Sequence, residues 1–211
     1  MAKTSNESVK IEIKDASKKY INEWVFKNVD LTLHNSTYAI VGPNGSGKST
    51  FLQCLSGLVP ISKGSITYSL NGKAIPVDDI FDSISIVSPA LELIEEFTLH
   101  EVFEFHKNFR TLQFNDSLDF AEAIFLPKNL HKQLKNFSSG MKQRVKLGLA
   151  FFSESKIILL DEPTTNLDEN GCNWYADECQ KIIPNKLIII ASNQKHEYEF
   201  CDALINMLDF K

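Results

Sequence analysis

The stretch that most constrains this chain is residues 42–50, where Gly42, Pro43, Asn44, Gly45, Ser46, Gly47, Lys48, Ser49 and Thr50 follow one another. The apolar run before it, residues 37–41, reads as a buried strand, and residues 51–55 after it read as the opening of a helix. Strand, glycine loop and helix in that order make a phosphate-binding loop; a chance glycine-rich turn would lack those flanks. The chemistry explains the spacing. Glycines let the backbone curl until successive N–H groups face one anion, and the helix N-terminus adds partial positive charge. Lys48 supplies a mobile full charge for the β- and γ-phosphates, and the Ser49 hydroxyl is a hard oxygen donor of the kind Mg²⁺ takes.

With 211 residues the chain suits one domain, or one domain with a small attached subdomain. Its net charge of −5 argues against a nucleic-acid or anionic-lipid partner, because those recruit basic surfaces. No apolar run approaches the length of a membrane span, and the polar stretch 1–7 reads as carrying no signal peptide. Cys54, Cys172, Cys179 and Cys201 lack metal-type clustering and read as thiols of a reducing compartment, although Cys172 and Cys179 could share a helix face.

Upstream of the loop, residues 9–14 and 29–34 alternate apolar and polar as half-buried strands do, with Trp24, Val25 and Phe26 between them. They predict a small antiparallel sheet feeding the strand of the loop. Tyr20 lies here; its ring either stacks on a nucleotide base or is an ordinary tyrosine of the sheet. Residues 64–70 and 73–75 flank an Asn71-Gly72 turn and predict a hairpin, and residues 84–87 read as a short buried strand ended by Pro89.

From residue 91 to 135 the pattern turns helical. Leu99, Val102, Phe103 and His106 recur at helical spacing behind a Thr98 cap with Glu101 three residues on, and a second amphipathic run spans 116–125. Glu92, Glu95, Glu96, Glu101 and Glu104 crowd the start of this region. Lys128, His131, Lys132 and Lys135 crowd its end, and Lys142, Arg144 and Lys146 continue the basic run. Such runs either form solvated faces or, at the basic end, lie near polyphosphate.

Ser138 and Ser139 are natural caps for a helix whose apolar residues include Val145, Leu147, Leu149 and Phe151. Residues 157–160 are an unbroken apolar run that ends in Asp161 and Glu162. Carboxylates at the carboxyl end of a buried parallel strand sit where open α/β sheets bind ligands. There Asp161 would hold Mg²⁺ and Glu162 would polarise an attacking water; a purely structural acid pair is the weaker reading beside a phosphate loop. A helix over about 169–183, an apolar strand over 187–191 ending in Ser192-Asn193, and a last alternating strand over 202–208 complete the pattern.

The order of these motifs resembles that of the ATP-binding cassette (ABC) ATPases, the nucleotide-binding subunits of ABC transporters, over about residues 9–208. Residues 42–50 match the family's Walker A motif, and residues 137–141 resemble its signature motif, normally Leu-Ser-Gly-Gly-Gln. Residues 157–161 with Glu162 match Walker B and the catalytic glutamate, residues 166–168 resemble the D-loop, and Tyr20 falls at the adenine-stacking aromatic. The resemblance implies an α/β fold: a P-loop NTPase core on a mixed, mostly parallel sheet, an N-terminal antiparallel β-subdomain and an inserted helical subdomain. Residues 1–211 would form a single ABC ATPase domain with its helical part at about 91–135.

The same resemblance implies ATP and Mg²⁺ as cofactors, Ser49 and Asp161 at the metal, Glu162 as the catalytic residue, and Asn193 at the γ-phosphate. It implies a second ABC ATPase subunit, expected to be another copy of this chain, with Ser138, Ser139, Gly140 and Asp168 acting in trans. It further implies an integral membrane transporter subunit, which would hold the protein in the cytoplasm at the inner face of the cell membrane. The expected work is ATP hydrolysis driving transport through that partner.

Three departures from the family pattern bear on activity. The signature carries Phe137, Ser139 and Met141 in place of Leu, Gly and Gln, while Ser138 and Gly140 are kept. The glutamine expected after residue 87 is absent; the run is Ser88-Pro89-Ala90. The switch histidine is replaced by Asn193, which can hydrogen-bond a phosphate oxygen but carries no charge, and His196 is too far along the chain to be its expected substitute. Either both γ-phosphate sensors are weak and hydrolysis is slow, or Asn193 does the histidine's work. The rival functions are a non-transport ABC protein acting on ribosomes or DNA and an ATP-binding regulatory module with negligible turnover.

Overall fold

The computed structural model describes residues 8–211. The stretch 1–7, read above as free of a signal peptide, lies outside the described residues. Two sheets share the core. The first begins with a long hairpin, β1 (Val9–Tyr20) and β2 (Glu23–His34), paired antiparallel with Ile11 opposite Leu33 and Ile13 opposite Leu31. The strands are twice as long as their alternating stretches, and Trp24, Val25 and Phe26 lie within β2 rather than between strands. Irregular register at Ile13/Ala16 and Ala16/Lys18 hides this continuity, because a bulge breaks the period of two that marks a strand in sequence. The second hairpin, β4 (Lys63–Leu70) and β5 (Lys73–Ile75), adds to the same sheet, in the order β2-β1-β4-β5. Asn71 and Gly72 both sit at positive φ (53° and 76°), as a tight hairpin turn of the predicted kind requires.

The second sheet is parallel throughout: β6 (Ile84–Val87), β7 (Ile157–Asp161), β8 (Leu187–Ala191), β3 (Thr37–Val41) and β9 (Ala203–Asn206), in that order. The last strand is shorter than its alternating pattern, since Met207–Phe210 turns into a 3-10 helix capped by Asn206. Both faces of this sheet are covered. Ile157 and Leu159 of β7, with Leu187 and Ile189 of β8, pack toward the antiparallel sheet and α1 (Lys48–Leu55). Ile158, Leu160, Ile188 and Ile190 pack the other way, against α4 (Ser139–Phe151) and α5 (Glu169–Ile182). Burial on both faces is why these strands read as unbroken apolar runs.

Between β6 and α4 lie α2 (Leu99–Lys107) and α3 (Ser117–Ala123). Thr98 caps α2 in a complete capping box with Glu101, as the spacing predicts. The two charge runs of this region meet at an ion pair, where Lys142 of α4 bonds Glu95, and Lys146 reaches the Ser88 carbonyl. Of the basic run, Lys142 is thus engaged by the acidic loop ahead of α2, while Lys146 meets a backbone carbonyl of the segment after β6.

The strand order sets up everything below. β3, β8 and β7 are neighbours, and β6 lies beside β7, so the segments leaving their carboxyl ends converge on one edge.

Candidate functional site

The phosphate loop leaves β3 and feeds α1 through Gly47, whose φ of 99° is left-handed. A Cβ at Gly47 would stand 2.6 Å from Val25 Cγ1, so glycine is required by both conformation and space. Lys48 is buried and donates to the carbonyls of Gly42 (2.8 Å) and Pro43 (3.3 Å), folded back over its own loop. Burial pushes its ammonium below the ordinary lysine range, opposed by the nearby charges of Glu162 and Asp161. Ser46 Oγ is buried without a hydrogen-bond partner inside this loop. An orphaned hydroxyl in a glycine cradle with a retracted lysine fits an incoming phosphate.

Asp161 ends β7 directly beside the loop. Its two oxygens are taken by two hydroxyls: Ser49 donates to Oδ1 at 2.9 Å and Ser88 to Oδ2 at 3.1 Å. Burial raises its carboxyl above the usual range, and the two hydroxyl bonds hold it back. Hydroxyls and a carboxylate are the hard-oxygen set that suits Mg²⁺, which is bound through one or two carboxylates plus phosphate oxygens. Glu162 follows at φ 46°, a left-handed backbone that non-glycine residues seldom adopt, with its N–H donating to Ala191 O at 2.9 Å. It lines the same cleft of about 460 Å³ as Tyr20, Asn44, Lys48, Ser49 and Thr50. Tyr20 is 48% exposed, and Lys18 Nζ lies 4.7 Å over its ring. Asn193, leaving β8, donates from its side-chain amide to Asn44 of the loop. His196 does not approach the loop; its Nε2 lies 3.1 Å from Thr164 Oγ1.

The signature residues are elsewhere. Ser138, Ser139, Gly140 and Asp168 line a separate cavity of about 420 Å³ with Phe125 and Arg144. Ser138 caps α4 by accepting from Met141 N–H at 3.2 Å, so the motif stands at an open helix N-terminus. Gly140 is needed for a local reason too: a Cβ would meet the Asn166 carbonyl at 2.6 Å. Asp168 caps α5 through Gly171 N–H (2.8 Å) and pairs with Arg144 (2.9 Å), which together hold its carboxyl below the usual range.

Two residues act in this geometry without a motif of their own. Ser88 reads in sequence only as a missing glutamine; the pairing of β6 with β7 is what sets its hydroxyl against Asp161. Arg144 reads as one cation of a basic run, yet it ties the signature helix to Asp168 and lies 5.7 Å over the Phe125 ring.

A glycine cradle on a parallel-sheet edge, with a lysine, two hydroxyls and a carboxylate, defines a P-loop nucleotide-binding ATPase. The ABC transporter family profile matches residues 26–165. The uncharacterized ABC transporter ATP-binding protein YybJ of Bacillus subtilis (strain 168) is 31% identical over 202 residues, covering 93% of this chain and 92% of that protein. The chain belongs to the ABC transporter ATP-binding proteins. Its fold superposes on an ABC transporter ATP-binding protein from Pyrococcus furiosus with a TM-score of 0.80 at 24% identity, over 96% of this chain and 99% of that one. The ATP-binding cassette MJ0796, solved as a dimer in a post-hydrolysis state bound to ADP and Pi, gives 0.79 at 23% identity, over 93% of each chain. At these identities the two structures speak for the fold. Among the described residues no helix is long and apolar enough to cross a membrane.

Proposed function

We propose that this chain is the ATP-binding and hydrolysing subunit of an ABC transporter, working as an ATP-sandwiched pair that energises a separate membrane-spanning subunit. One observation carries this reading: the two halves of the expected site lie in different cavities of one chain, one lined by Lys48 and Glu162, the other by Ser138 and Gly140. A second cassette placed head to tail would close each half with its complement. Tyr20 would stack on the base, residues 42–50 would wrap the phosphates, and Ser49 and Asp161 would hold Mg²⁺, which supplies charge neutralisation at the phosphates. Glu162 would orient and polarise the attacking water, and Ser138, Ser139, Gly140 and Asp168 would act from the partner. The whole of 1–211 would work as one ABC ATPase domain, with 91–135 as its helical subdomain. Glu162→Gln protein, unable to complete hydrolysis, is expected to dimerise in ATP and Mg²⁺ by light scattering. If it stays monomeric, and no sibling cassette completes it, the sandwich reading fails.

The membrane partner would dock on the groove of about 250 Å³ lined by Leu91, Leu93 and Leu149 together with His106, Arg110 and Lys146. Beside it Phe97, Phe105 and Phe109 form a line of rings at 5.7 and 5.1 Å, with Phe109 67% exposed. Apolar walls with two basic groups, Arg110 and Lys146, against Glu92 suit a short amphipathic cytoplasmic helix that carries a carboxylate. Such docking would hold the chain at the inner face of the membrane.

Hydrolysis is read as slow. Asn193 bonds Asn44 and carries no charge, so the contact expected from a histidine is weakened while the binding loop stays whole. Asn193→His should raise steady-state turnover several-fold; a wild type as fast as ordinary cassettes, with no gain on substitution, favours an Asn193 that already does the histidine's work.

A further inference from the structure

We infer that Ser88 is a positioning residue for the metal site, fixing Asp161 through its hydroxyl; this rests on the reading of the Ser49–Asp161 cleft as an ATP–Mg²⁺ site. Ser88 is 2% exposed, at the end of β6. Its Oγ accepts from Ala90 N–H at 3.3 Å and donates to Asp161 Oδ2 at 3.1 Å, so the backbone amide behind it leaves the hydroxyl proton for the carboxylate. Its carbonyl lies 3.4 Å from Lys146 Nζ on α4. The residue is thus engaged at its hydroxyl oxygen, its proton and its carbonyl, and the next residue, Pro89, has no N–H with which to compete.

The consequence for Asp161 is geometric. Ser49 holds one carboxylate oxygen and Ser88 the other, so the group cannot rotate without breaking a buried hydrogen bond. Partners of a metal-binding carboxylate fix its orientation and tune its basicity, and losing one typically costs 10–100-fold in metal affinity. A side chain too short to reach far into the cleft can still do this, because β6 and β7 are hydrogen-bonded neighbours with Val87 opposite Leu160. The site therefore keeps an ordered metal carboxylate without the glutamine its relatives are expected to carry.

The test is Mn²⁺ affinity, read by electron paramagnetic resonance on the full chain with a non-hydrolysable ATP analogue, alongside analogue binding in excess chelator. Ser88→Ala is expected to weaken Mn²⁺ about tenfold or more, to leave metal-free nucleotide affinity within about twofold, and to lower the thermal midpoint modestly, as the loss of a buried hydrogen bond does. Ser88→Thr, which keeps the hydroxyl, should recover most of the loss. Mn²⁺ affinity of Ser88→Ala within about twofold of wild type, while Ser49→Ala is weakened, overturns the role of Ser88 alone. Equal losses in Ser88→Ala and Ser88→Thr, tracking a fall in thermal midpoint, overturn it as well by making the residue merely structural. A wild type that binds no nucleotide with or without metal overturns the ATP reading and this inference together.

Discussion

The two cavities that carry the motifs are built in opposite ways. At the phosphate-loop cavity several of the central side chains are already bonded within the chain, while Ser46 Oγ is left without a partner. Lys48 lies on the loop carbonyls, Ser49 and Ser88 on Asp161, and Asn193 on Asn44. At the signature cavity Ser138 satisfies one amide of α4, and the helix tip borders the cavity at Ser139 and Gly140, with the Asn166 carbonyl close against Gly140. The first is an internally bonded network whose lysine would have to turn from its loop carbonyls to meet a ligand. The second is a helix N-terminus whose dipole suits an anion, which on the proposed reading a second cassette would bring. The contrast teaches that nucleotide binding and pairing should be separable in this protein.

The largest effect should come at the internally bonded network. Lys48→Ala removes the buried ammonium that the proposed function places on the phosphates and should weaken ATP binding by about 10²–10³-fold in a fluorescent-nucleotide titration. Retained affinity would break the contrast, since the helix dipole and glycine cradle would then suffice. At the other cavity, Ser139→Glu is chosen because a carboxylate in the first turn of α4 suits the helix dipole while repelling polyphosphate. Nucleotide affinity of the isolated chain should stay within about threefold, and helix stability should hold or rise by about 0.3–1 kcal/mol. ATP-driven dimerisation in the Glu162→Gln background should vanish on a sizing column. Parallel losses of binding and pairing would show that the cavities are not independent.

A smaller effect should separate the regions by pH. His106 on α2 is pushed down to about 4 by burial and by Arg110, and its Nε2 has no partner. The unfolded chain, with an ordinary histidine near 6.5, binds the proton first, so stability is full above pH 6.5 and falls as pH drops toward 4. The loss should reach roughly 3 kcal/mol and should shrink in His106→Gln, measured by urea midpoints. Hydrogen exchange should show α2 and α4 opening before α1 in that window, because His106 lies on the helical side.

Much of the site was legible in sequence because its elements are local. A glycine loop between strand and helix, an apolar run ending in Asp161-Glu162, and a Ser138 cap each announce themselves within about ten residues. The antiparallel hairpins were legible in part. Asn71-Gly72 marked its turn, but Asp15 (φ 47°) and Asn28 (φ 50°) interrupt the alternation of β1 and β2 and hid half their length. The pairing of Lys142 with Glu95 and of Arg144 with Asp168 was hidden, since charge runs look the same whether solvated or paired.

Local sequence encodes the parts: the glycine loop, the strand that ends in a carboxylate and the capped helix after Ser138, whose conformations depend on neighbours along the chain. Tertiary structure decided which parts meet. The strand order β6-β7-β8-β3 sets Ser88, Asp161, Asn193 and Asn44 on one edge, although they are spread from residue 44 to residue 193. The same folding sends Ser138 and Gly140 to a different cavity. The physical reason is that strand pairing is long-range: hydrogen bonds between β6 and β7 join segments some seventy residues apart, and no local spacing encodes them.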